Sequence, residues 1–437
     1  MKQHVTLGIV CLVRETFDFA AAAEIYGDIL NGVDSVENVT WVKETKAVIS
    51  PDDAHAAGHR LALAGVDALV VVSGTFHLGH LALILKKYVD KPFLLWALDE
   101  LPYNGGKIRL NSVCGVNLDA SNLYKAGYDD VVAVAGGATV NEDFIDAVRM
   151  KKALGQAQIG ILGYHAHGFF NLDTQALNLY NQPGAMVDHY EISDLTSSPV
   201  PDGEIAKYRN LYKQTFDVSG INERQLELTS ALAARMAAFC DARSLSALAV
   251  RCWPEFARDY GVSPCAAMSL LQSSGYILAC EGDMEGAISM LACKALGFTP
   301  FLADLSQIDF EKNFALLWHC GAAPSCLWDG ASSRSLDTYF AGGKGVTADF
   351  VLKSGDIGLV RIDSARGATR LFLQSGTAVH MEKELRGTYA KAVFPVSVKD
   401  LFDRVTSTGI AHHLAMFYGN KTEAFRIFAK FMKYELI

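Results

Sequence analysis

The sequence predicts an α/β fold, with two doubly wound α/β domains followed by a β-rich, barrel-like carboxyl-terminal domain. The first 300 residues alternate short apolar runs with helix-like stretches, as parallel strands connected by helices do. These apolar runs are continuous, which indicates a sheet covered on both faces. From about Gly345 the pattern changes to short strands separated by Gly, Ser and Asp turns, which is typical of antiparallel structure.

The first predicted domain covers residues 1–156. Its strand candidates are "HVTLGIVCLV", "NVTWVKET", "DALVVVSGTF", "KPFLLWALD" and "DVVAVAG", and the helical patterns between them include "FAAAAEIYGDILNG" and "LGHLALILKKY". The first strand is not followed by a GxGxxG turn, so the chain has no glycine loop to hold a dinucleotide pyrophosphate. A dinucleotide-dependent oxidoreductase is therefore a weak alternative.

The second predicted domain covers residues 157–300, and the third covers 301–437. The second alternates "QIGILGY", "MVDHYEIS", "SALAVRCW" and "YILAC" with helical runs, the longest being "NERQLELTSALAARMAAFCDA". The third consists of short strands and a closing helix, "KTEAFRIFAKFMKYE". A chain of 437 residues exceeds what one hydrophobic core usually holds, so several domains are expected.

Composition excludes several classes of protein. The net charge of −9 disfavours a nucleic-acid partner, which would require a clustered basic face. No run reaches the roughly 20 apolar residues that a membrane span needs, and no secretory signal is recognisable. The nine cysteines include no CxxC pair and lie mostly in apolar segments, where a thiol packs as a small hydrophobe. We therefore expect a cytoplasmic location.

An acidic cluster, "ACEGDMEGA", marks a candidate site. Glu281 ends the predicted strand "YILAC", and Asp283 precedes a helical run that it can cap. Gly297 ends that helix, and Asp304 ends the next strand candidate, "PFLAD". Glu285, one turn into the helix, is expected on a solvated face.

If "YILAC" and "PFLAD" are parallel neighbours, Glu281 and Asp304 lie on one edge of the sheet, with strands roughly 4.8 Å apart. The carboxyl edge of an open α/β sheet is where ligands bind, so these two carboxylates could bind one ion. The alternative is that each is an ordinary loop residue or helix cap.

Two adjacent histidines, His412 and His413, occur in the apolar stretch "GIAHHLAMFYGN". Neighbouring residues of a strand point to opposite faces, so at most one of them is expected to face a given site. Two carboxylates and one imidazole, with positions left for water or substrate, suit Mn²⁺ or Mg²⁺ better than a structural zinc ion.

Together these residues resemble the L-fucose isomerase and L-arabinose isomerase superfamily, especially its shorter fucose-isomerase-like members. The resemblance rests on "ACEGD", "FLAD", "LWHCGAAP" and "HHxxxxYG", and also on "VRCWPEF". It implies a metal-dependent aldose–ketose isomerase with two α/β domains and a β-rich carboxyl-terminal domain. It also implies a homo-oligomer, in which Trp96 and Asn111 could serve a neighbouring subunit's site.

The resemblance implies Glu281, Asp304 and His413 as the ligands of Mn²⁺, with Mg²⁺ or Co²⁺ as alternatives. The choice of His413 over His412 rests on its spacing to Tyr418. Glu281 and Asp304 would also be the proton-transfer pair, because carbonyl migration between C1 and C2 passes through an ene-diol.

Other residues are expected around the substrate. His319 could donate a hydrogen bond to the substrate or orient a ligand, or it could be an ordinary buried histidine. His412 and Trp253 could line the site. In "YHAHGFF", His165 stands where many relatives carry arginine, and His167 lies close by. Both could reach the far end of the sugar, and the alternative is an ordinary βα loop. A pentose, a deoxyhexose or an acidic sugar such as sulfoquinovose remains possible. The main alternative is a sugar-binding or regulatory protein without catalysis.

Overall fold

The structure, a computed structural model, describes residues 1–338 and 343–437. It groups the chain into two compact units. One contains residues 2–152 and 423–434, and the other contains residues 153–422 with both chain ends. This grouping does not test the predicted domain boundaries at 156 and 300, which stay a prediction. Within the described residues, none of the helices combines the length and the apolar character that crossing a bilayer requires.

The first unit is built around a parallel sheet. Its strands are β1 (Val5–Leu12), β2 (Val39–Lys43), β3 (Ala68–Ser73), β4 (Phe93–Ala97) and β5 (Val131–Ala135), in the order β2-β1-β3-β4-β5. Its helices are α1 (Phe19–Gly32), α2 (Pro51–Leu63), α3 (His80–Tyr88), α4 (Ser112–Lys125) and α5 (Glu142–Gly155). β3 and β4 are buried along their whole length, which explains their continuous apolar sequences and confirms the predicted parallel sheet.

The second unit begins with another parallel sheet, called here the second sheet. Its strands are β6 (Gln158–Leu162), β7 (Met186–Tyr190), β8 (Ala247–Val250) and β9 (Leu278–Cys280), in the order β7-β6-β8-β9. Its helices are α6 (Ala176–Asn181), α7 (Ile192–Thr196), α8 (Asp202–Thr215), α9 (Glu223–Ala242), α10 (Cys265–Gln272) and α11 (Met284–Ala295). Because the strands are parallel, the segments that follow β6, β8 and β9 lie at one edge.

A β-rich region follows, as predicted. Its strands are β10 (Phe301–Asp309), β11 (Phe314–His319), β12 (Ser335–Asp337), β13 (Thr347–Val351), β14 (Gly355–Ala365), β15 (Ala368–Val379), β16 (Thr388–Val393), β17 (His413–Tyr418) and β18 (Glu435–Leu436). Among the described residues, a ring of strands pairs in the order β16-β11-β10-β17-β14-β15 and closes when β15 pairs with β16. This closed ring is the barrel, and it confirms the predicted fold class.

The sequence "PFLAD" belongs to the barrel and not to the second sheet. It forms the start of β10, which runs antiparallel to both β11 and β17. The prediction that "PFLAD" is a parallel neighbour of "YILAC" is therefore wrong. After α11 the chain enters the barrel, and β9 is left at the edge of the second sheet. A short apolar run ending in a carboxylate looks the same in either kind of sheet, so the sequence pattern could not separate them.

One apolar core joins the second sheet to the barrel. It includes Leu248 and Val250 of β8 together with Leu317, Leu359 and Met416 of the barrel strands, all of them buried. The remaining helices are α12 (Val398–Thr408) and α13 (Thr422–Met432). The predicted closing helix is α13, and most of it groups with the first unit, where Phe431 packs edge-on against Phe144. The second sheet and the barrel therefore share one core.

Candidate active site and metal centre

The corner between β9 and α11 carries the acidic cluster. β9 ends at Cys280, and Glu281 follows with φ +64°, a left-handed conformation that is uncommon for a residue other than glycine. Gly282 continues the turn at φ +74°, and a Cβ atom there would lie 2.3 Å from the carbonyl oxygen of Tyr164. Backbone strain of this kind clusters at functional sites. The corner holds Glu281 at the carboxyl edge of the second sheet, as predicted.

Helix α11 begins and ends as the sequence indicates. Asp283 caps it by accepting the backbone N–H of Gly286 at 2.8 Å. Gly297 follows its last turn with φ +87°, which closes the helix in the usual left-handed conformation. Both predictions for this helix are confirmed.

The barrel contributes the other half of the candidate site. Asp304 of β10 lies directly opposite His413 of β17, and on its other side it pairs with Trp318 of β11. Directly opposed residues of antiparallel strands point to the same face, so Asp304 and His413 project together. His319 ends β11, and its ring stacks on that of His413 at a centroid distance of 5.6 Å.

The two halves converge on one imidazole nitrogen. His413 Nε2 lies 3.4 Å from Glu281 Oε2 and 3.5 Å from Asp304 Oδ1. His413 belongs to two groups of side chains whose ligand atoms lie within 4.8 Å of one another: one with Glu281 and His412, the other with Asp304 and His319. The structure therefore brings together the three residues predicted as metal ligands.

These side chains fit a divalent cation. Among the described residues, His413 Nε2, Asp304 Oδ1 and His319 Nε2 are buried and have no hydrogen-bond partner. Buried polar atoms are almost always paired, so orphaned atoms that face one another require an explanation. Two carboxylates and an imidazole around a common point form a donor set that suits Mn²⁺ or Mg²⁺.

The far side of the His413 ring is held by a buried ion pair. His413 Nδ1 lies 2.9 Å from Asp283 Oδ2, and both side chains are fully buried. Arg361 of β14 donates to both oxygens of Asp283, at 2.6 and 3.1 Å. Burial favours the protonated form of Asp283, but the Arg361 guanidinium and His413 outweigh it and hold the pKa of that carboxyl well below its usual range.

Glu285 is buried, so the expectation that it lies on a solvated face is wrong. Only 3% of its surface is exposed, and its carboxylate lies 3.6 Å from Arg361 and accepts a hydrogen bond from Ser364. Burial raises the pKa of Glu285 to about 7, and Arg361 and Ser364 only partly oppose this shift. The barrel covers the first turn of α11, which the amphipathic pattern of a single helix could not reveal.

His412 also faces the candidate site, so the expectation that only one of the two histidines does so is wrong. Its Nε2 lies 3.3 Å from Glu281 Oε2, and its Nδ1 lies 3.2 Å from the side-chain amide nitrogen of Asn171. His412 precedes β17, so the alternation of a strand does not apply to it. Its side chain is 38% exposed, whereas that of His413 is buried.

His319, like His413, presents its Nε2 to the site, but this nitrogen carries the proton in the neutral ring. The backbone N–H of Cys320 donates to His319 Nδ1 at 2.9 Å. In the neutral ring the proton then resides on Nε2, the buried atom that lies beside Asp304 and His413. His319 is thus placed as a hydrogen-bond donor, whereas His413 offers a lone pair. The predicted role of His319 toward the substrate or a ligand stays a prediction.

Aromatic side chains form one wall beside Glu281. The Trp253 indole Nε1 lies 3.5 Å from Glu281 Oε1, and Phe169 packs edge-on against both Trp253 and His412. The sequence identified Trp253 but not Phe169 or Asn171. The available signal was their position in "HGFFN", directly after a strand of the second sheet.

The loop after β6 backs the corner. His165 is buried, its ring lies 4.2 Å from that of Tyr164, and the backbone N–H of Ala166 donates to the carbonyl of Glu281. His167 is exposed, and the described residues show no contact between its side chain and the metal-ligand cluster. A role of His165 or His167 in substrate binding stays a prediction.

Trp96 and Asn111 lie in the first unit. Trp96 is buried in β4, and its indole N–H donates to the carbonyl of Gly136. Asn111 precedes α4 at φ +55°, and its backbone N–H donates to Glu100. Their contribution to a neighbouring subunit stays a prediction.

Comparison with known proteins shows which enzymes the chain is similar to. Residues 8–148 match the family described as fucose/sulfoquinovose isomerase, N-terminal domain. A sulfoquinovose isomerase of Priestia aryabhattai is 28% identical over 96% of this chain and 96% of its own length. Those of Alkalicoccus urumqiensis (28% identical, 86% of this chain and 87% of that protein) and Clostridium sp. strain MSTE9 (26%, 84% and 85%) are also similar. These matches support a sugar isomerase similar to the fucose isomerase-like family, that is, an enzyme that interconverts an aldose and its ketose.

Proposed function

We propose that this protein is a divalent-cation-dependent aldose–ketose isomerase whose substrate is sulfoquinovose. The observation that carries the proposal is the convergence of Glu281 and Asp304 on the orphaned Nε2 of His413. Glu281 and Asp304 come from two different sheets. Buried polar atoms are normally hydrogen-bonded, so packing alone does not explain why their oxygens gather around an unpaired imidazole nitrogen.

The cation would be held by Glu281, Asp304 and His413, and Mn²⁺ is proposed, with Mg²⁺ or Co²⁺ as alternatives. A bound cation would supply Lewis-acid stabilisation of the negative charge that develops on the sugar oxygens. Glu281 and Asp304 both lie close to His413 Nε2, one reaching it from the second sheet and one from the barrel. This arrangement supports a role for them as the proton-transfer pair.

Different side chains of the protein have different roles in the reaction. One carboxylate removes the proton from C2, the substrate passes through an ene-diol, and a carboxylic acid returns a proton to C1. His319 Nε2–H donates to a substrate oxygen beside Asp304. Trp253 and Phe169 form the apolar wall against which the sugar face packs, and they limit access of water to the ene-diol.

The relatives support the substrate proposal. They are named sulfoquinovose isomerase, and their similarity covers 86–96% of this chain. Sulfoquinovose is glucose with a sulfonate at C6 in place of the hydroxyl group. His165 and Asn171 lie on the loop after β6, and we propose that this loop faces the sulfonate end of the sugar.

We further propose a cytoplasmic homo-oligomer. Cys11, Cys240 and Cys293 are buried among apolar side chains, as thiols in a reducing compartment are. Sedimentation of the purified protein would give its oligomeric state.

Isomerisation in D₂O tests the proposed function. Metal-stripped protein is incubated with sulfoquinovose, D-glucose, L-fucose or D-arabinose, with and without Mn²⁺, and followed by ¹H and ¹³C NMR. We expect ketose formation and deuterium at C2 of the recovered aldose with sulfoquinovose, and only with the metal present. D-glucose is the matched control because it differs only in having a hydroxyl group at C6 in place of the sulfonate.

Exchange with a neutral sugar but not with sulfoquinovose would keep the isomerase and overturn the substrate. Absence of exchange with every sugar, despite Mn²⁺ binding, would overturn the enzymatic proposal and leave a sugar-binding protein. The relatives do not favour that alternative, because they are named as isomerases.

A further inference from the structure

We propose that Asp283, clamped by Arg361, is a positioning residue that fixes the orientation of the His413 imidazole and presents its Nε2 to the cation. This inference rests on the proposed function, because it presupposes that His413 is a metal ligand. Asp283 is not itself placed to bind the cation, since it contacts the opposite side of the ring.

The ring of His413 has two distinct nitrogens, and the structure assigns each a partner of a different kind. A carboxylate can only accept a hydrogen bond, so Asp283 Oδ2, at 2.9 Å, requires the proton on Nδ1. The Nε2 lone pair then points toward Glu281 and Asp304. Metal-binding histidines characteristically donate their second N–H to a carboxylate, which sets the tautomer and raises the basicity of the ligating nitrogen.

Several hydrogen bonds fix the position of the Asp283 carboxylate. Its two oxygens accept from both terminal nitrogens of Arg361 and from the backbone N–H of Gly286. A bidentate pair between planar groups fixes the plane of the carboxylate as well as its position. All three side chains of the relay, Arg361, Asp283 and His413, are fully buried.

Arg361 also ties the relay to the barrel backbone. Its Nη1 lies 3.3 Å from the carbonyl oxygen of His413, while its own strand, β14, pairs with β17. The Arg361 guanidinium therefore contacts both the Asp283 carboxylate, which orients the His413 ring, and the backbone of His413 itself. Because Asp283 begins α11, this contact also links the second sheet to the barrel close to the metal ligands.

A matched control exists two residues along the same helix. Glu285 is another buried carboxylate beside Arg361, but it accepts a hydrogen bond from Ser364, and among the described residues no hydrogen bond or ion pair joins it to His413. At pH 8, above the pKa of about 7 of Glu285, Glu285→Gln removes a negative charge from beside Arg361 without touching the ring. Asp283→Asn also removes the acceptor of His413 Nδ1–H. Asn is a good helix cap, so the start of α11 is retained.

The test is Mn²⁺ affinity, measured by electron paramagnetic resonance of free Mn²⁺ in titrations of the unaltered protein, Asp283→Asn and Glu285→Gln. Loss of an outer-shell partner typically costs about 10–100-fold in metal affinity, and we expect this for Asp283→Asn. We expect Glu285→Gln to bind Mn²⁺ with an affinity close to that of the unaltered protein. Circular dichroism and thermal melting establish that each variant is folded.

The outcomes separate the two proposals. If the unaltered protein does not bind Mn²⁺, the metal-dependent function fails and this inference fails with it. If the unaltered protein binds and Asp283→Asn binds equally well, only the positioning role is overturned. An equal loss in both variants would also overturn it, because the effect would then follow the charge around Arg361 and not the contact with His413.

A second measurement covers the case in which Asp283→Asn does not fold. Protein labelled with ¹⁵N in its histidine rings, loaded with diamagnetic Mg²⁺, is examined by long-range ¹H–¹⁵N correlation, and His413 is assigned by comparison with His413→Gln. We expect the proton of His413 on Nδ1. A proton on Nε2 would contradict the proposed orientation.

Discussion

The second sheet and the barrel build the two halves of the candidate site by different means. The second sheet supplies Glu281 from a single corner at φ +64°, backed by the loop after β6. The barrel supplies Asp304 and His413 from opposed positions of neighbouring strands. Backbone hydrogen bonds along the strands fix the barrel residues, whereas the position of Glu281 depends on a strained turn and on what packs against it.

This difference predicts different sensitivities. A change of side chain in the barrel half removes a chemical group but leaves the backbone where the ladder holds it. A change of backbone in the corner half moves Glu281 even when its side chain is intact. Both kinds of substitution are expected to lower turnover. Separate measurements of turnover, metal affinity and stability are therefore needed to distinguish them.

The largest effect is expected from removing one carboxylate of each half. Glu281→Gln and Asp304→Asn are nearly isosteric, so the fold should remain while turnover falls by about 10²–10⁴-fold or more, the range for loss of a general acid or base. Turnover is measured by NMR in D₂O and folding by thermal melting. Full activity of Glu281→Gln with unchanged metal dependence would place the chemistry in the barrel half alone.

The next effect separates the two neighbouring histidines. His413→Ala removes a proposed ligand, and its Mn²⁺ affinity should fall by more than about 10-fold, since even an outer-shell loss costs that much. His412→Ala should lose less affinity, because this residue is partly exposed and its Nδ1 already pairs with Asn171. Calorimetric titration with Mn²⁺ gives both values, and the reverse ranking would identify His412 as the ligand.

The sequence predicted the fold class and the three proposed metal ligands, but one of these for the wrong reason. Continuous apolar strands and the β-rich carboxyl-terminal pattern are local signals, and the structure confirms both. Asp304 was placed beside Glu281 as its parallel neighbour, whereas it arrives from an antiparallel barrel strand. The motif still identified Asp304, because it indicates which residues lie close together and not which strand pairing brings them together.

The remaining errors concern long-range packing. The sequence predicted a solvated Glu285 because no local pattern shows that β14 covers its helix. The contacts come from Arg361 and Ser364, which lie 76 and 79 residues further along the chain. Phe169 and Asn171 were missed because loop residues carry no periodicity. The relay from Arg361 through Asp283 to His413 joins segments far apart in sequence, and a single chain offers no signal for such a meeting.

A backbone change in the corner tests the strained half directly. Gly282→Ala places a Cβ atom 2.3 Å from Tyr164 O and 2.7 Å from His165 Cα, so the corner must move. Gly275→Ala is the matched control, because Gly275 also has positive φ but open space around it. The left-handed conformation alone costs about 1–2 kcal/mol in each.

Gly282→Ala should therefore lower the free energy of unfolding more than Gly275→Ala does, and only Gly282→Ala should also reduce turnover. Urea denaturation and the NMR assay measure the two quantities. Equal effects of the two substitutions on turnover would mean that contact between the corner and the loop after β6 does not position Glu281.

The smallest effect is a pH dependence of stability at Glu285. Its pKa is raised from 4.5 to about 7 in the folded protein, because burial disfavours the charged form. Between these values the folded state holds a proton that the unfolded chain has released. Stability from this group is thus fully present below about pH 4.5 and is lost as the pH rises through about 7.

Glu285→Gln cannot titrate, so the difference in melting temperature between variant and unaltered protein should move in favour of the variant as the pH rises from about 5 to about 8. Glu311→Gln, at an exposed position between β10 and β11, is the control for a general change of charge and should show no such trend. A difference that stays flat for Glu285→Gln would mean that Arg361 keeps this carboxylate ionised throughout. In that case Arg361 would balance two charged carboxylates, Asp283 and Glu285, and the barrel side of the site would be more strongly charged than its burial indicates.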